Sequence, residues 1–334
     1  MKKYYDPSFI LVIAFTMAFQ VTSLAQQRNV PVNIIFDTDM GPDYDDVGAM
    51  ALLHAFADKG EANILATVAS TKYDNVAAVM SVLNTYFKRS DLPIGVPRGE
   101  ALTLKDFQHW SDTLVARYPH SIKKNADAMD AVELYRKVLS QQPDNSVTIV
   151  TVGFLTNIAD LLKSKGDSYS PLSGPELVNK KVNKLVSMAG DFPAGKEFNV
   201  ERDAKASVHV FTHFKKPILL SGGEIGSKIK TGLPLVANKN IRNSPVQDVF
   251  RISIPLDKQD KEGRMSWDQT AVLVAVRGYE SYYTVKCGTM VVADDGSNSW
   301  KDEGKNHCYL VEKAKPAVVQ QVINDLMMHQ PGEK

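Results

Sequence analysis

The stretch Phe36-Asp37-Thr38-Asp39-Met40-Gly41-Pro42-Asp43-Tyr44-Asp45-Asp46 places five aspartates in ten positions, directly behind the apolar run Val32-Asn33-Ile34-Ile35-Phe36. Aspartate is poor in strands and helix interiors, so the cluster belongs in a loop at the carboxyl end of a strand. Turn formation and an N-cap, with Asp46 opening the next helix, account for one or two of these residues but not for five. Two carboxylates about 4 Å apart repel by roughly 4 kcal/mol at an effective dielectric of about 20, so sharing one loop calls for protons or a cation. The donors on offer are carboxylate and carbonyl oxygens, with no His or Cys beside them, and such hard ligands select Ca²⁺ or Mg²⁺ over zinc or copper. A site that must also accept substrate oxygens and water needs a flexible coordination shell, which favours Ca²⁺.

The elements that must position this loop alternate regularly. Residues 32–36, 62–69, 147–152, 184–189 and 217–221 read as strands, and residues 46–57, 75–87, 156–163, 203–214 and 314–328 as helices. Such a series predicts an α/β fold: an open, mainly parallel, Rossmann-like sheet with helices on both faces, binding ligands beyond the carboxyl ends of its strands. No repeat or linker divides the chain, so residues 26–334 are expected to form one domain. The polar stretch 98–125, which carries Trp110, reads as a long functional loop.

Composition excludes several classes. Lys and Arg number 39 and Asp and Glu 38 in 334 residues, which gives no bulk field to recruit nucleic acid or an anionic membrane. Lys2 and Lys3, the apolar run Phe9 to Phe19 and then Ser23-Leu24-Ala25 have the order of a secretory signal, so residues 1–25 are expected to be removed and the mature protein to be periplasmic. That run is about half the roughly 20 residues a span requires, so no stable membrane anchor is expected. Cys287 and Cys308 can form one bridge in an exported setting, though their spacing alone does not say that they do. His209 and His213 lie four apart but lack a third ligand, and read as a solvated helix face. Neither a Gly-x-Ser-x-Gly elbow nor a phosphate-binding Gly-x-x-x-x-Gly-Lys loop occurs.

With Asp37-Thr38-Asp39 followed by Asp45-Asp46, the sequence resembles the inosine-uridine-preferring nucleoside hydrolases. Further segments carry the resemblance in the same order: Val152-Gly153-Phe154-Leu155-Thr156-Asn157-Ile158-Ala159, then Glu197-Phe198-Asn199 with Asp203, then Ser266-Trp267-Asp268-Gln269. It implies that Asp39, Asp45, Asp46, Asp268 and the backbone carbonyl of Val152 surround a Ca²⁺ ion that also takes two ribose hydroxyls and a water. Asp39 would be the general base, accepting the proton of a water whose pKa the cation lowers. That water attacks C1′ as the N-glycosidic bond of a nucleoside or related riboside breaks through an oxocarbenium-like transition state, which dense carboxylates stabilise. Glu197 and Asn199 would hold sugar hydroxyls, with Asn75 either a further ribose contact or a helix-start residue. Asp37 would orient the loop, and Asp43 lies in an expansion of the loop with no assigned role. A homodimer or homotetramer is implied on the same ground.

The sequence departs from the family twice. Trp267 stands where many members place a His acid, as in the purine-preferring branch, where a stacked indole is thought to make the purine basic enough for solvent to protonate it; Trp110 is the candidate for the opposite face of that stack. The asparagine expected to reach the 5′-hydroxyl between Met188 and Glu197 is missing, and Asp191 is its candidate substitute. Two rival readings stand beside the hydrolase. One is a haloacid-dehalogenase-type phosphatase built on Asp37 and Asp39, which leaves the Glu-Phe-Asn and Trp-Asp segments unexplained. The other is a Ca²⁺-dependent sugar- or nucleoside-binding protein without turnover.

Overall fold

The computed structural model describes residue 1 and residues 30–332; the expected signal segment, 1–25, lies outside the described residues apart from Met1. The described residues from 31 onward cluster as one compact unit. Its strands are β1 (Val32–Thr38), β2 (Ala62–Ala69), β3 (Ile94–Val96), β4 (Met129–Asp130), β5 (Val147–Thr151), β6 (Val182–Met188), β7 (Ala194–Gly195), β8 (Ile218–Ser221), β9 (Lys230–Thr231), β10 (Arg264–Met265), β11 (Tyr283–Val292), β12 (Asn298–Lys301) and β13 (His307–Glu312). All but β9 and β10 join one sheet in the order β4-β3-β2-β1-β5-β6-β8-β13-β11-β12-β7. Pairing is parallel from β4 through β13 and antiparallel at the β13-β11-β12-β7 end.

The helices are α1 (Asp45–Asp58), α2 (Val76–Tyr86), α3 (Trp110–Arg117), α4 (Ala131–Ser140), α5 (Thr156–Lys163), α6 (Gly174–Lys181), α7 (Phe198–Arg202), α8 (Ala204–His213), α9 (Gly223–Gly226), α10 (Leu233–Ala237), α11 (Pro245–Ser253), α12 (Trp267–Arg277) and α13 (Pro316–Met327). They cover both faces of the sheet, and the central strands show why. In β1, Ile34 and Phe36 enter the core shared with α1, α2, α12 and α13, while Ile35 between them enters the core shared with α4, α5, α6 and α8. Val150 and Ile149 of β5, and Val186 and Leu185 of β6, divide in the same way. A strand buried on both faces needs apolar residues at every position, which is the continuous run seen in the sequence. Helix α1 is itself buried from Asp45 to Phe56, so its apolar residues are not confined to one stripe.

The chain runs outward from β1 in one direction through β2, β3 and β4, and in the other through β5, β6 and β8. Strand order therefore reverses between β1 and β5, and the crevice beyond their carboxyl ends is where an open α/β sheet binds ligands. The aspartate loop follows β1 and Val152-Gly153 follows β5, so both open into that crevice. At the antiparallel end, Cys287 of β11 and Cys308 of β13 are register partners and form a disulfide. The stretch 98–125 is not all loop: it contains α3, which Trp110 opens. No described helix is long and apolar enough to cross a membrane.

Candidate active site

Each aspartate of the loop has a distinct surrounding. Asp37, the last but one residue of β1, is buried and accepts hydrogen bonds from the Tyr135 hydroxyl at 2.8 Å and from Asn157 Nδ2 at 3.0 Å. Asn157 also donates to the Ala69 carbonyl at 2.8 Å, so this pair ties the ends of β1 and β2 to α5. Burial pushes the Asp37 carboxyl up to about 7, against the lowering effect of those two donors. Thr38 Oγ1 donates to Asp46 Oδ1 and accepts from the Met40 amide at 3.1 Å, which turns the chain out of β1. Asp39 and Asp43 then line a cavity of about 590 Å³. That volume lies inside the range of roughly 300–1,000 Å³ typical of small-molecule sites.

Asp45 joins the end of the aspartate cluster to the start of α12. Its Oδ1 accepts from Nε and Nη2 of Arg264 at 3.0 and 2.8 Å, and its Oδ2 accepts from the backbone amides of Trp267 and Asp268 at 3.1 and 3.2 Å. A carboxylate from α1 thus serves the open amides at the start of α12, where negative charge also meets the positive end of the helix dipole. That bond holds Asp268 at the rim of the aspartate loop. Burial and the neighbouring Asp43 push Asp45 up to about 7 even though Arg264 opposes them.

Carboxylate oxygens of Asp43, Asp45 and Asp268 lie within 4.8 Å of one another, a grouping able to hold a metal ion. Asp46 Oδ2 is buried with no hydrogen-bond partner. Burial, reinforced by mutual repulsion, holds Asp39, Asp46 and Asp268 well above the usual carboxylate range. A set of close, desolvated, oxygen-only donors with an orphaned carboxylate oxygen fits a hard divalent cation. Space is also reserved for this packing: a Cβ on Gly153 would lie 2.3 Å from the Asp39 amide nitrogen, so β5 can approach the loop closely only with glycine there.

The opposite wall comes from the segment after β6. Gly190 turns the chain in the left-handed region, φ 78°, where glycine carries no Cβ penalty. Glu197 caps α7, accepting from the amides of Asn199 at 2.8 Å and Val200 at 3.2 Å, and also from Gly190 at 3.2 Å. Burial raises its carboxyl to about 7 while those donors restrain it. Asn199 Nδ2 faces the carbonyls of Val152 and Met188 at 3.4 and 3.5 Å. Asp191 lines the cavity, half-buried, with its carboxyl raised by desolvation. Trp267 lines it too, with Nε1 donating to the Gly223 carbonyl at 2.9 Å and the Arg264 guanidinium 5.0 Å from its ring centroid.

Of the residues singled out in the sequence, Asp39, Val152, Asp191, Glu197, Asn199, Trp267 and Asp268 line one cavity, with Asp45 and Asp46 buried at the start of α1 beside it. One expectation needs correction. Trp110 is wholly buried in the apolar core rather than in the cavity wall, because α3 packs its first turn inward; Phe107 and Gln108 are the residues of that stretch that line the cavity, and Phe107 is 61% exposed. Asn75 takes the helix-start position that was one of its two readings: it immediately precedes α2 in the left-handed region, φ 75°, a conformation asparagine tolerates better than most residues, and it is not among the lining residues. Arg264 and Asp43 had no assigned role in the sequence, and both line the cavity. A lone arginine between turns carries no signal of its own, and its partners Asp45 and Asp43 lie in the distant N-terminal loop. His209 and His213 stack on each other at 4.3 Å, and His213 bonds a carbonyl of its own helix.

A family model described as "Inosine-uridine preferring nucleoside hydrolase" matches residues 34–321. Among individual proteins, the "Pyrimidine-specific ribonucleoside hydrolase RihA" of Shewanella sp. (strain MR-4) is 31% identical over 194 residues, covering 53% of this chain and 55% of that one. The "Non-specific ribonucleoside hydrolase RihC" of Salmonella paratyphi A is 30% identical over 193 residues, covering 54% and 58%. The chain thus spans little more than half the length of these relatives. Of solved structures, "Plant nucleoside hydrolase - PpNRh1 enzyme" superposes with a TM-score of 0.69 at 22% identity, over 89% of this chain and 99% of that one. The purine-preferring ribonucleoside hydrolase from Gardnerella vaginalis does so with a TM-score of 0.67 at 18% identity, over the same shares. At those identities the likeness speaks for the fold.

Proposed function

The chain belongs to the inosine-uridine-preferring nucleoside hydrolase family, and on that premise we propose that it hydrolyses the N-glycosidic bond of ribonucleosides, releasing ribose and the free base. The observation that carries this reading is convergence. Asp39 from the first motif, Val152 from the second, Glu197 and Asn199 from the third, and Trp267 and Asp268 from the fourth line one cavity at the switch point of the sheet.

By the family match, Asp39, Asp45, Asp46 and Asp268, with the Val152 carbonyl, are the residues that would hold Ca²⁺, and the carboxylate of Asp43, grouped with those of Asp45 and Asp268, is a further oxygen donor beside them. A bound divalent cation would supply Lewis acidity and a lowered pKa for a coordinated water. Asp39 takes the proton of the attacking water, a role its position on the cavity wall permits. Carboxylates around the ring stabilise the positive charge that develops at C1′. Glu197 and Asn199 accept from and donate to the sugar hydroxyls, and Asp191 meets the 5′ end. Trp267 offers an indole for stacking, worth roughly 1–3 kcal/mol per base, which favours two-ring purines. A homodimer or homotetramer is carried over from the family, and export to the periplasm rests on the N-terminal residues together with the Cys287–Cys308 bridge.

The test is release of base and reducing sugar from inosine, guanosine and uridine, with and without a Ca²⁺ chelator. Cleavage that stops on chelation and returns with Ca²⁺ is expected. Cleavage that persists after thorough metal removal refutes the mechanism, and binding without turnover returns the protein to the class of sugar-binding proteins.

A further inference from the structure

Arg264 lines the cavity, yet its side chain is only 8% exposed. Its donors divide unequally. Nε and Nη2 are held by Asp45 at 3.0 and 2.8 Å, and Nη2 also meets Asp43 Oδ2 at 2.8 Å. Nη1 makes no hydrogen bond among the described residues: Asp260 Oδ2 is 3.7 Å away and already accepts the Tyr44 hydroxyl at 2.5 Å. The guanidinium also lies 4.9 Å from the ring of Tyr44 and 5.0 Å from that of Trp267. It is therefore clamped by carboxylates and flanked by two rings, one of them the indole of the cavity wall, and one of its nitrogens makes no hydrogen bond among the described residues.

The leaving group needs such a donor. As the C1′–N bond breaks, its electron pair moves onto the base, next to a wall rich in carboxylates that repel it. The sequence has no His before Asp268, and the sole side-chain donor of Trp267, Nε1–H, is engaged by the Gly223 carbonyl. Resting on the hydrolase reading above, we propose that Arg264 is a catalytic residue, hydrogen-bonding the departing base through Nη1 and stabilising the negative charge left on it. The water oxygen bonds to C1′, its proton passes to Asp39, and the C1′–N electron pair stays on the base. The released base takes a proton from solvent, Asp39 returns one to solvent, and the guanidinium is unchanged. Preorganised donors of this kind, in a site that excludes water, need no reorganisation as charge develops.

The experiment compares inosine with p-nitrophenyl β-D-riboside, whose phenolate departs without help, in the wild type, Arg264→Gln and Arg264→Lys, all at saturating Ca²⁺. In Arg264→Gln, kcat on inosine should fall by about 10²–10³-fold, the loss typical of removing one such donor. The p-nitrophenyl riboside should lose about fivefold or less in the same variant, and Arg264→Lys should recover part of the inosine rate. An equal fall on both substrates in Arg264→Lys and Arg264→Gln overturns the proposal, because it assigns Arg264 only to holding the aspartate loop together. Unchanged inosine turnover overturns it as well. A wild type that cleaves neither substrate overturns the hydrolase reading, and this inference with it.

Discussion

Gly153→Ala tests the geometry of the site with a single methyl group. The backbone at Gly153 is not in the left-handed region, so alanine adds no conformational strain and the variant probes space alone. The new Cβ would sit 2.3 Å from the Asp39 amide nitrogen, 2.6 Å from its Oδ1 and 2.7 Å from its Cβ. Comfortable heavy-atom contacts are about 3.5 Å, so the two segments must part by roughly 1 Å. Overpacking of this kind costs about 1–3 kcal/mol, and misplacing a catalytic group by about 1 Å can cost ~10²-fold in rate. The expected outcome is a folded protein that melts a few degrees lower, with kcat/KM on a cleaved nucleoside reduced about a hundredfold. Steady-state kinetics and thermal melts in Ca²⁺ measure both. Turnover within about threefold of the wild type would show that Asp39 does not depend on the close approach of β5, and would refute this account of the glycine.

Other perturbations separate the remaining roles. Asp39→Asn should lower kcat by about 10²–10⁴-fold, as loss of a general base does, and full turnover in that variant removes the assignment. Chelation should lower the melting temperature, because a cation at about a hundredfold its Kd stabilises the folded state by about 2.7 kcal/mol; calorimetry showing identical melts with and without Ca²⁺ would contradict the metal site. Trp267→Ala should lower the purine-to-pyrimidine rate ratio, and an unchanged ratio refutes stacking. His54, buried on α1, stacked on Phe87 and bonded to Asn84, has its pKa lowered to about 3, chiefly by burial. The folded state therefore excludes a proton that the unfolded chain binds at about 6.5. The stabilisation is complete above that value and is lost as pH falls toward 3, by about 1.4 kcal/mol per unit. Between pH 7 and pH 5 the wild type should lose about 2 kcal/mol more than His54→Gln in denaturant titrations, and equal losses would place the acid sensitivity elsewhere.

How much was legible in the sequence follows from which signals are local. Five aspartates behind a strand exceed what turns and caps explain, so the acidic loop and its taste for hard cations could be read without coordinates. The alternation of apolar runs and helical periods likewise gave β1, β2, β5, β6 and β8 and the helices α1, α2, α5 and α8 to within a residue or two, but not α3, α4, α6 or α7 between them. The antiparallel end was less visible, because β11 carries Lys286 and other exposed positions and lacks the continuous apolar run of a doubly covered strand. Trp110 misled because an aromatic side chain serves a core and a stacking site equally well, and only the packing of α3 decides between them. Arg264 was hidden for the opposite reason: its meaning lies in contacts with Asp45, 219 positions away.

The bond from Asp45 to the amides of Trp267 and Asp268 also sets the order in which the site can come into being during synthesis. Asp45 leaves the ribosome 222 residues ahead of Trp267. At about 5–20 residues per second, the acidic loop waits roughly 10 to 45 s for its last carboxylate and for the arginine that tempers it. Throughout that interval the nascent chain carries a repelling cluster with no pocket around it. Premature termination anywhere before α12 therefore leaves the cluster without its last carboxylate, and turnover is expected only once the last fifth of the chain, from Arg264 on, has docked onto the start of α1.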